Sequence, residues 1–179
     1  MTVLHTARLR LEPICLEHYA GLRVLNADPL VQRYIAGRPE TPEETAAMIE
    51  RVQGRWREFG YSWWSFIEQE TGELVGAGCI QHLGHIPSNE HEIGWRLLPD
   101  RWGRGYAGEA ARRMASFAFD ELKAPTLAAI CHPDNADSAK VMRRLGMRYR
   151  GDEVWHGQTV SVYDITAPAF AATREETAR

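Results

Sequence analysis

The sequence predicts an α+β fold, built on a mixed, predominantly antiparallel sheet with helices on both faces. Three strand patterns, over residues 62–68, 73–81 and 90–97, follow one another without a helix between them. A glycine-rich turn, a helix pattern and a near-continuous apolar run over residues 126–131 come next, and such a run is typical of a strand buried on both faces. Consecutive strands without intervening helices argue against a doubly wound parallel sheet.

Local patterns predict the remaining elements. Residues 6–12 alternate polar and apolar side chains with the period of a half-buried strand. Thr41, Pro42 and Glu44 supply a cap, a first-turn proline and an acidic first turn, which predict a helix that runs to about residue 58. Further helices and a C-terminal hairpin are expected over residues 16–26, 29–34, 106–118 and 136–145, and over residues 153–156 and 159–166.

The composition is that of a globular protein, with 44% hydrophobic and 25% charged residues in a chain of 179. We expect one domain over residues 1–168 and a disordered tail over residues 169–179, where no core pattern remains. The net charge of −3, without a basic run, argues against a nucleic-acid partner. Neither a membrane-spanning run nor a signal-peptide pattern is found, so we expect a cytoplasmic protein without a membrane partner.

The stretch Trp102-Gly103-Arg104-Gly105-Tyr106-Ala107 links a strand pattern to a helix pattern. Glycine permits positive φ angles and close approach of the backbone to a ligand. The first turn of a helix offers unpaired N–H groups and the positive end of the helix dipole, which suit a diphosphate. The stretch therefore predicts a phosphate-binding loop. The alternative is a turn that needs glycine for its geometry alone.

The glycines Gly103, Gly105 and Gly108 also match the spacing of a dinucleotide-binding fingerprint. In that fold the first strand runs directly into the first glycine, and an acidic residue follows about 20 residues later. Here residues 99–102 intervene and residues 127–130 contain no acid. The context therefore disfavours a dinucleotide site.

Several motifs together resemble the GNAT superfamily of acetyl-coenzyme A dependent N-acetyltransferases. Gly105-Tyr106-Ala107 matches the second half of the signature (Gln/Arg)-x-x-Gly-x-(Gly/Ala), although Trp102 stands where Gln or Arg is expected. The similarity extends from about residue 9 to residue 165. The motifs that resemble the branch with the ribosomal-protein N-terminal acetyltransferases are Glu92-Ile93-Gly94-Trp95, Pro99, the stretch from Trp102 to Ala107, Glu109-Ala110, Asn135-Ala136-Asp137-Ser138 and Leu145-Gly146-Met147.

The resemblance implies a sheet that splays open between its fourth and fifth strands, the strands over residues 90–97 and 126–131. The pantetheine arm of acetyl-coenzyme A would enter that gap, and an amine, either a protein N-terminus or a small molecule, would accept the acetyl group. Homodimers occur in the family. The residues that the resemblance assigns to the co-substrate are Leu97, Trp102, Gly103, Arg104, Gly105, Tyr106, Ala107, Asn135 and Ser138.

Acetyl transfer needs a base for the amine, a donor for the oxyanion and an acid for the thiolate. The resemblance implies that a strand bulge frees a backbone N–H near Leu97 for the oxyanion. Glu92 is our candidate base, and a solvated pair with Arg96 is the alternative for this residue. Many family members place a tyrosine four residues before the glycine of Leu-Gly, where this chain has Met142. Ser138 or an ordered water would then protonate the thiolate.

Other residue groups predict little chemistry. No metal site is expected, because His82 and His85 lack a completing ligand, and the three widely spaced cysteines predict reduced thiols. Cys131 and His132 point to opposite faces of an extended strand, which disfavours a covalent cysteine mechanism. Asn135 suits a helix cap as well as a ligand contact. The residues expected to border the acceptor are one of Trp63 and Trp64, together with Arg33, Tyr34 and Arg38, for which an exposed, solvated turn is the alternative.

Two functions of different classes fit these patterns. The first is an N-acetyltransferase in which the amine attacks acetyl-coenzyme A directly within a ternary complex. The second is an acyl-coenzyme A binding module without turnover, which the missing tyrosine suggests. The sequence does not identify the acceptor, because acceptor pockets in this superfamily are built from variable loops.

Overall fold

The computed structural model describes residues 1–155 and 157–177, with side chains through Arg174. Its strands form one sheet, in the spatial order β1-β2-β3-β4-β5-β6-β8-β7. Within the described residues only β5 and β6 pair in parallel, which confirms the predicted mixed, mostly antiparallel sheet. The strands are β1 Leu4–His5, β2 Leu9–Pro13, β3 Trp63–Glu68, β4 Leu74–His82, β5 His91–Leu97, β6 Thr126–Cys131, β7 Arg148–Trp155 and β8 Gln158–Thr166.

Helices cover both faces of this sheet, as predicted. In the longest of them, α3, Thr41 and Glu44 form the reciprocal capping box that the sequence indicates. No helix among the described residues is long and apolar enough to cross a membrane. The helices are α1 Tyr19–Ala27, α2 Pro29–Gln32, α3 Pro42–Phe59, α4 Tyr106–Asp120, α5 Ala136–Arg144 and α6 Ala167–Thr177, with 3₁₀ turns at Leu16–His18, Leu83–His85 and Pro99–Arg101.

The two faces of the sheet differ in the helix that covers them. On one face Trp64 makes an edge contact with Phe117 of α4, with ring centroids 5.5 Å apart. On the other face Arg55 of α3 donates a hydrogen bond to Gln81 at 3.4 Å. We call these the α4 face and the α3 face. Because side chains alternate along a strand, neighbouring tryptophans Trp63 and Trp64 lie on opposite faces.

The sheet opens between β5 and β6, where the sequence places its fourth and fifth strands. These two strands pair at His91–Leu127 and Glu92–Ala128 only. On its other side β5 stays paired with β4 as far as Leu97. The strands therefore diverge after Glu92 and leave a gap, which we call the wedge, beside the second half of β5.

Two strands differ from the sequence prediction. A short strand, β1, precedes the first predicted one and pairs with β2. The strand β7 begins at Arg148, five residues before the expected start at residue 153. This part of β7 escaped prediction because Arg148, Tyr149 and Arg150 are all exposed and show no alternation. His156, in the predicted hairpin, lies outside the described residues.

The predicted disordered tail is instead a helix over most of its length. Residues Ala167–Thr177 form α6, while residues 178–179 lie outside the described residues. Phe170 is 1% exposed and packs on Phe119 of α4, with ring centroids 5.0 Å apart. The tail lacks a helical apolar stripe, so periodicity does not reveal it, and one aromatic side chain fixes its position.

Replacing Phe170 with alanine is expected to lower the free energy of unfolding by about 3 kcal/mol, because it removes a fully buried aromatic ring. Urea denaturation of wild type and variant measures this difference. Arg174→Ala is the control on the same helix, since its ion pair with Asp120 is half exposed and worth under about 1 kcal/mol. A Phe170→Ala variant as stable as Arg174→Ala would contradict the docking of α6.

Candidate active site

The loop between β5 and α4 presents a row of unpaired backbone N–H groups. Gly103 and Gly105 have φ angles of 73° and 84°, in the left-handed region that favours glycine. The Trp102 amide donates to the Pro99 carbonyl at 3.1 Å, and the Glu109 amide donates to the Gly105 carbonyl at 3.0 Å. Between them, in residues 103–108 of the described chain, no amide donates a hydrogen bond. Such a row at a helix N-terminus is suited to bind an anion.

The space beside the two glycines of this loop is open. A Cβ atom added to Gly103 would meet nothing within 4 Å, and one on Gly105 would meet only the Arg8 guanidinium, at 3.4 Å. Arg104 is exposed beside the amides and adds positive charge. A bound anion could therefore reach the backbone directly, which a structural turn alone does not require.

Contacts from Arg8, in the turn between β1 and β2, hold the loop in place. The Arg8 guanidinium donates to the Arg104 carbonyl at 2.9 Å and to the Glu109 carboxylate at 2.7 Å. It also stacks on the Tyr106 ring, 4.3 Å from the centroid. Tyr106 is buried, and its hydroxyl donates to Glu68. Tyr106 thus offers a ligand its backbone amide and not its side chain. The role of Arg8 was missed from sequence, because nothing local links it to this loop.

The bulge that the resemblance implies near Leu97 is not observed. The β4–β5 register runs without a shift from Gly76–Leu97 to His82–His91. Leu98 donates to the Val75 carbonyl at 2.9 Å. Because every second pair of an antiparallel ladder is hydrogen-bonded, the amides of Trp95 and Leu97 point away from β4.

These two amides face the wedge. The divergence of β5 from β6 leaves the Leu97 amide free without a bulge, and it leaves the Trp95 amide free as well. The Trp95 amide was missed from sequence. Trp102, whose ring is 47% exposed, closes the end of β5 by donating its indole N–H to the Leu97 carbonyl at 2.9 Å.

Glu92 lies on the α3 face at the start of the wedge and is 7% exposed. Its carboxylate accepts a hydrogen bond from the Gln81 side-chain amide at 3.2 Å. Burial raises the pKa of Glu92 to about 7. The alternative of a solvated pair with Arg96 is therefore wrong for this residue. A carboxylate with this pKa can both take up and release a proton near neutral pH.

The Gln81 side chain is fixed by a network that sequence reasoning missed. Its oxygen accepts hydrogen bonds from the Trp63 indole N–H at 3.2 Å and from Arg55 at 3.4 Å. Because the oxygen is occupied by these donors, the amide nitrogen faces Glu92. The network comes from β3, β4 and α3, which are far apart in sequence.

The N-terminal region of α5 carries the other predicted site residues. The Asn135 side chain accepts a hydrogen bond from the Ser138 amide at 3.2 Å, so it caps the helix. Ser138 is partly buried, and its hydroxyl makes no hydrogen bond within the described residues. Met142, at the position of the family tyrosine, is 2% exposed. A thiolate acid would therefore have to be Ser138 or a water.

Tyr34 and His132 stack on each other at 5.3 Å and lie beside an open cavity of about 670 Å³ at the end of β6. Arg33 lines the same cavity. Arg38, in contrast, pairs with Glu44 at 2.5 Å. Arg33 and Tyr34, both expected at the acceptor border, thus adjoin the cavity, whereas Arg38 pairs at the start of α3.

Neither Cys131 nor His82, both considered from the sequence, forms a second reactive centre within the described residues. Burial raises the pKa of the Cys131 thiol to about 11, which disfavours the thiolate that a covalent mechanism needs. His82 is hydrogen-bonded to the Tyr61 hydroxyl at 3.0 Å and to the Asn89 carbonyl at 2.9 Å. No group of three potential metal ligands is found in this part of the chain.

Comparisons with known proteins identify relatives of this chain. A family profile described as an acetyltransferase (GNAT) domain matches residues 8–148. The chain is 33% identical over 198 residues to an FsC-acetyl coenzyme A-N(2)-transacetylase of Aspergillus fumigatus, across 97% of this chain and 77% of that protein. An acetyltransferase structure from Agrobacterium tumefaciens is similar with a TM-score of 0.80 and 30% identity, across 92% and 94% of the two chains.

A second solved structure shows the same fold at lower identity. It is the ribosomal L7/L12 alpha-N-protein acetyltransferase RimL in complex with coenzyme A, with a TM-score of 0.76 and 20% identity. The similarity covers 94% of this chain and 99% of that one. The fold expected from the sequence is therefore confirmed.

Proposed function

Because this chain belongs to the acetyltransferase (GNAT) family, we propose that it transfers the acetyl group of acetyl-coenzyme A to a primary amine by direct attack in a ternary complex. One observation carries the proposal: the unpaired amides leading into α4 follow the end of β5, and the buried carboxyl of Glu92 lies on the α3 face of the same strand, where β5 and β6 begin to diverge. Direct attack requires the two substrates to meet, and the wedge is where they would do so.

The amides of residues 103–108 and the Arg104 side chain are suited to hold the diphosphate of acetyl-coenzyme A. Asn135 and Ser138, at the start of the helix that follows β6, would contact the pantetheine arm. The coenzyme A complex of RimL supports a site of this kind in this fold. When bound, the co-substrate supplies an activated thioester carbonyl.

The backbone amides of Trp95 and Leu97 lie at different distances from Glu92, the proposed base. A strand rises about 3.3 Å per residue, so the Cα atom of Trp95 lies about 10 Å from that of Glu92, and the Cα atom of Leu97 about 16 Å. We assign the carbonyl oxygen of the thioester to the Trp95 amide, because Glu92 can reach the attacking amine there directly or through one water. The Leu97 amide would then bind the pantetheine arm.

The proton balance favours an α-amine. At pH 7 an α-amine with a pKa of about 7.7–8.0 costs roughly 1 kcal/mol to deprotonate, whereas lysine costs about 4.6 kcal/mol. Glu92, with a pKa of about 7, is matched to the first of these. The amide C–N bond forms as the C–S bond breaks, Glu92 takes the amine proton, and Ser138 or a water protonates the thiolate. The name of the Aspergillus fumigatus relative, an N(2)-transacetylase, supports a primary amine acceptor.

The test is release of free thiol from acetyl-coenzyme A with a panel of small amines and N-terminal peptides of ribosomal proteins. We expect release with at least one acceptor and formation of its N-acetyl product. Coenzyme A binding without release would favour a binding module, for which buried Met142 is the supporting observation. Tight binding of NAD in calorimetry would contradict both functions. Three free cysteines suit the cytoplasm as the proposed location.

A further inference from the structure

Arg96 is a cation without an anionic partner on the α3 face of β5. Its guanidinium stacks on the Trp63 ring, 4.9 Å from the centroid. Its Nε atom is buried and has no hydrogen-bond partner, and burial lowers the pKa of the group. Within the described residues, no hydrogen bond or ion pair of Arg96 is formed. Stacking satisfies the face of a guanidinium but leaves the N–H groups in its plane unpaired.

Nearby acidic residues that the structure describes do not pair with Arg96. The charge of Glu40 acts on Arg96, but in the described part of the chain the two form no ion pair, and the Glu40 carboxylate accepts hydrogen bonds from Asn26 at 2.9 Å and from Thr45 at 3.4 Å. Arg101, in contrast, pairs with Glu73 at 2.8 Å and with Asp100. Stacking on Trp63 does not replace the hydration of the N–H groups of a partly buried guanidinium, and this points to an anionic ligand.

Arg96 shares its face of β5 with the proposed base. Glu92, Gly94 and Arg96 alternate with the residues that face α4, so all three lie on the α3 face. Gly94 carries no side chain between the two charged residues, and a Cβ atom there would lie 3.3 Å from the Cys79 sulfur, so a larger residue would be crowded. An acceptor lying over Gly94 would meet a carboxyl group at one end and a guanidinium at the other.

We propose that Arg96 binds an acidic group of the acceptor, so that the substrate is a small amino-acid-like molecule carrying an amine and a carboxylate or phosphonate. This inference rests on the proposed acetyl transfer and adds the substrate class. Arg96 forms a bidentate, charge-assisted pair with the acid, and the pair orients the amine toward Glu92. Arg96 determines specificity and takes no part in the proton transfer.

The experiment compares matched acceptors with and without the acid. Amino acids are assayed beside their amides, and an aminoalkylphosphonate beside the corresponding amino alcohol, by thiol release from acetyl-coenzyme A. A neighbouring carboxylate raises the pKa of an amine, so intrinsic reactivity favours the amides. We expect the opposite order for the wild type, with kcat/KM at least tenfold higher for one class of acid. The better class identifies the acid as carboxylate or phosphonate.

Two variants tie this preference to the residue. Arg96→Gln is expected to lower kcat/KM for the acids by about 10- to 100-fold and to change it less than about twofold for the amides. Arg96→Lys should keep part of the preference. Arg148→Gln, which removes an exposed cation from β7, is the matched control and should change neither.

The outcomes separate this inference from the function on which it rests. Activity of the wild type confined to neutral amines or peptides, or an equal loss for acids and amides in Arg96→Gln, overturns the role of Arg96 and leaves acetyl transfer intact. If Arg96→Gln does not fold, the acid-to-amide ratio of the wild type alone decides. Absence of thiol release with every amine contradicts the proposed function itself.

Discussion

Replacing Glu92 with glutamine is expected to lower kcat by about 10²- to 10⁴-fold, the usual contribution of a general base. The wild-type kcat/KM should fall as the pH drops through about 7, because Glu92 must be ionised to accept the amine proton. In the variant the part of this dependence that belongs to Glu92 disappears, and only protonation of the acceptor amine still lowers kcat/KM. Steady-state kinetics from pH 5.5 to 9 measure both effects.

Coenzyme A affinity should not change in Glu92→Gln, because the residue lies on the α3 face, away from residues 103–108. Glu50→Gln, an exposed carboxyl on α3, is the matched control and should keep full activity and the full pH profile. If Glu92→Gln has the same turnover as the wild type across this pH range, Glu92 is not the base and its role is structural.

The substitution Glu92→Gln, which lowers activity, is expected to raise the stability of the folded protein at high pH. In the folded protein Glu92 holds its proton up to a pKa of about 7, against 4.5 for the ordinary group. Folding therefore loses free energy as the pH rises from 4.5 through 7, and the loss is about 3 kcal/mol above that window. Glutamine stays neutral, so Glu92→Gln should be more stable than wild type at pH 8 and similar at pH 4.5.

Replacing Gly105 with valine is expected to lower coenzyme A affinity at least about 100-fold. The φ angle of 84° strains a β-branched residue by roughly 1–2 kcal/mol, and the added side chain covers the amides that the diphosphate needs. Isothermal titration calorimetry measures the affinity, and a thermal scan measures the stability. Both should fall.

Gly72→Val separates strain from the loss of the site. Gly72 has a φ angle of 73° in the β3–β4 turn, and a Cβ atom added there would meet nothing within 4 Å, so the strain is similar. This variant should lose a similar amount of thermal stability and keep its coenzyme A affinity. Equal coenzyme A affinities for Gly105→Val and the wild type would show that the diphosphate does not bind at this loop.

Features encoded within a short segment could be predicted from the sequence. Glycine spacing followed by a helix pattern indicated the loop at residues 103–107, and Thr41 with Glu44 indicated the start of α3. Features that depend on distant segments could not. Arg8 meets Glu109 across 101 positions, and Gln81 acquires its orientation from two other elements.

The resemblance predicted the splayed sheet correctly and the cause of the free amide near Leu97 incorrectly. A free amide near Leu97 was expected from a bulge, yet the regular β4–β5 register already directs it into the wedge. Which strand edge remains unpaired is a property of tertiary pairing, and the residues of β5 carry no local sign of it. The burial of Glu92, on which its pKa depends, is likewise set by α3 and β4.

The wedge has a consequence for the empty protein. The strands β5 and β6 each carry an unsatisfied polar edge in the interior of the sheet, joined by two residue pairs only. Proteins usually shield such edges with additional chain. A ligand with amide groups along its length can hydrogen-bond to both edges as an additional strand would. Binding of the co-substrate would then fill the gap in the sheet and link β1–β5 with β6–β8.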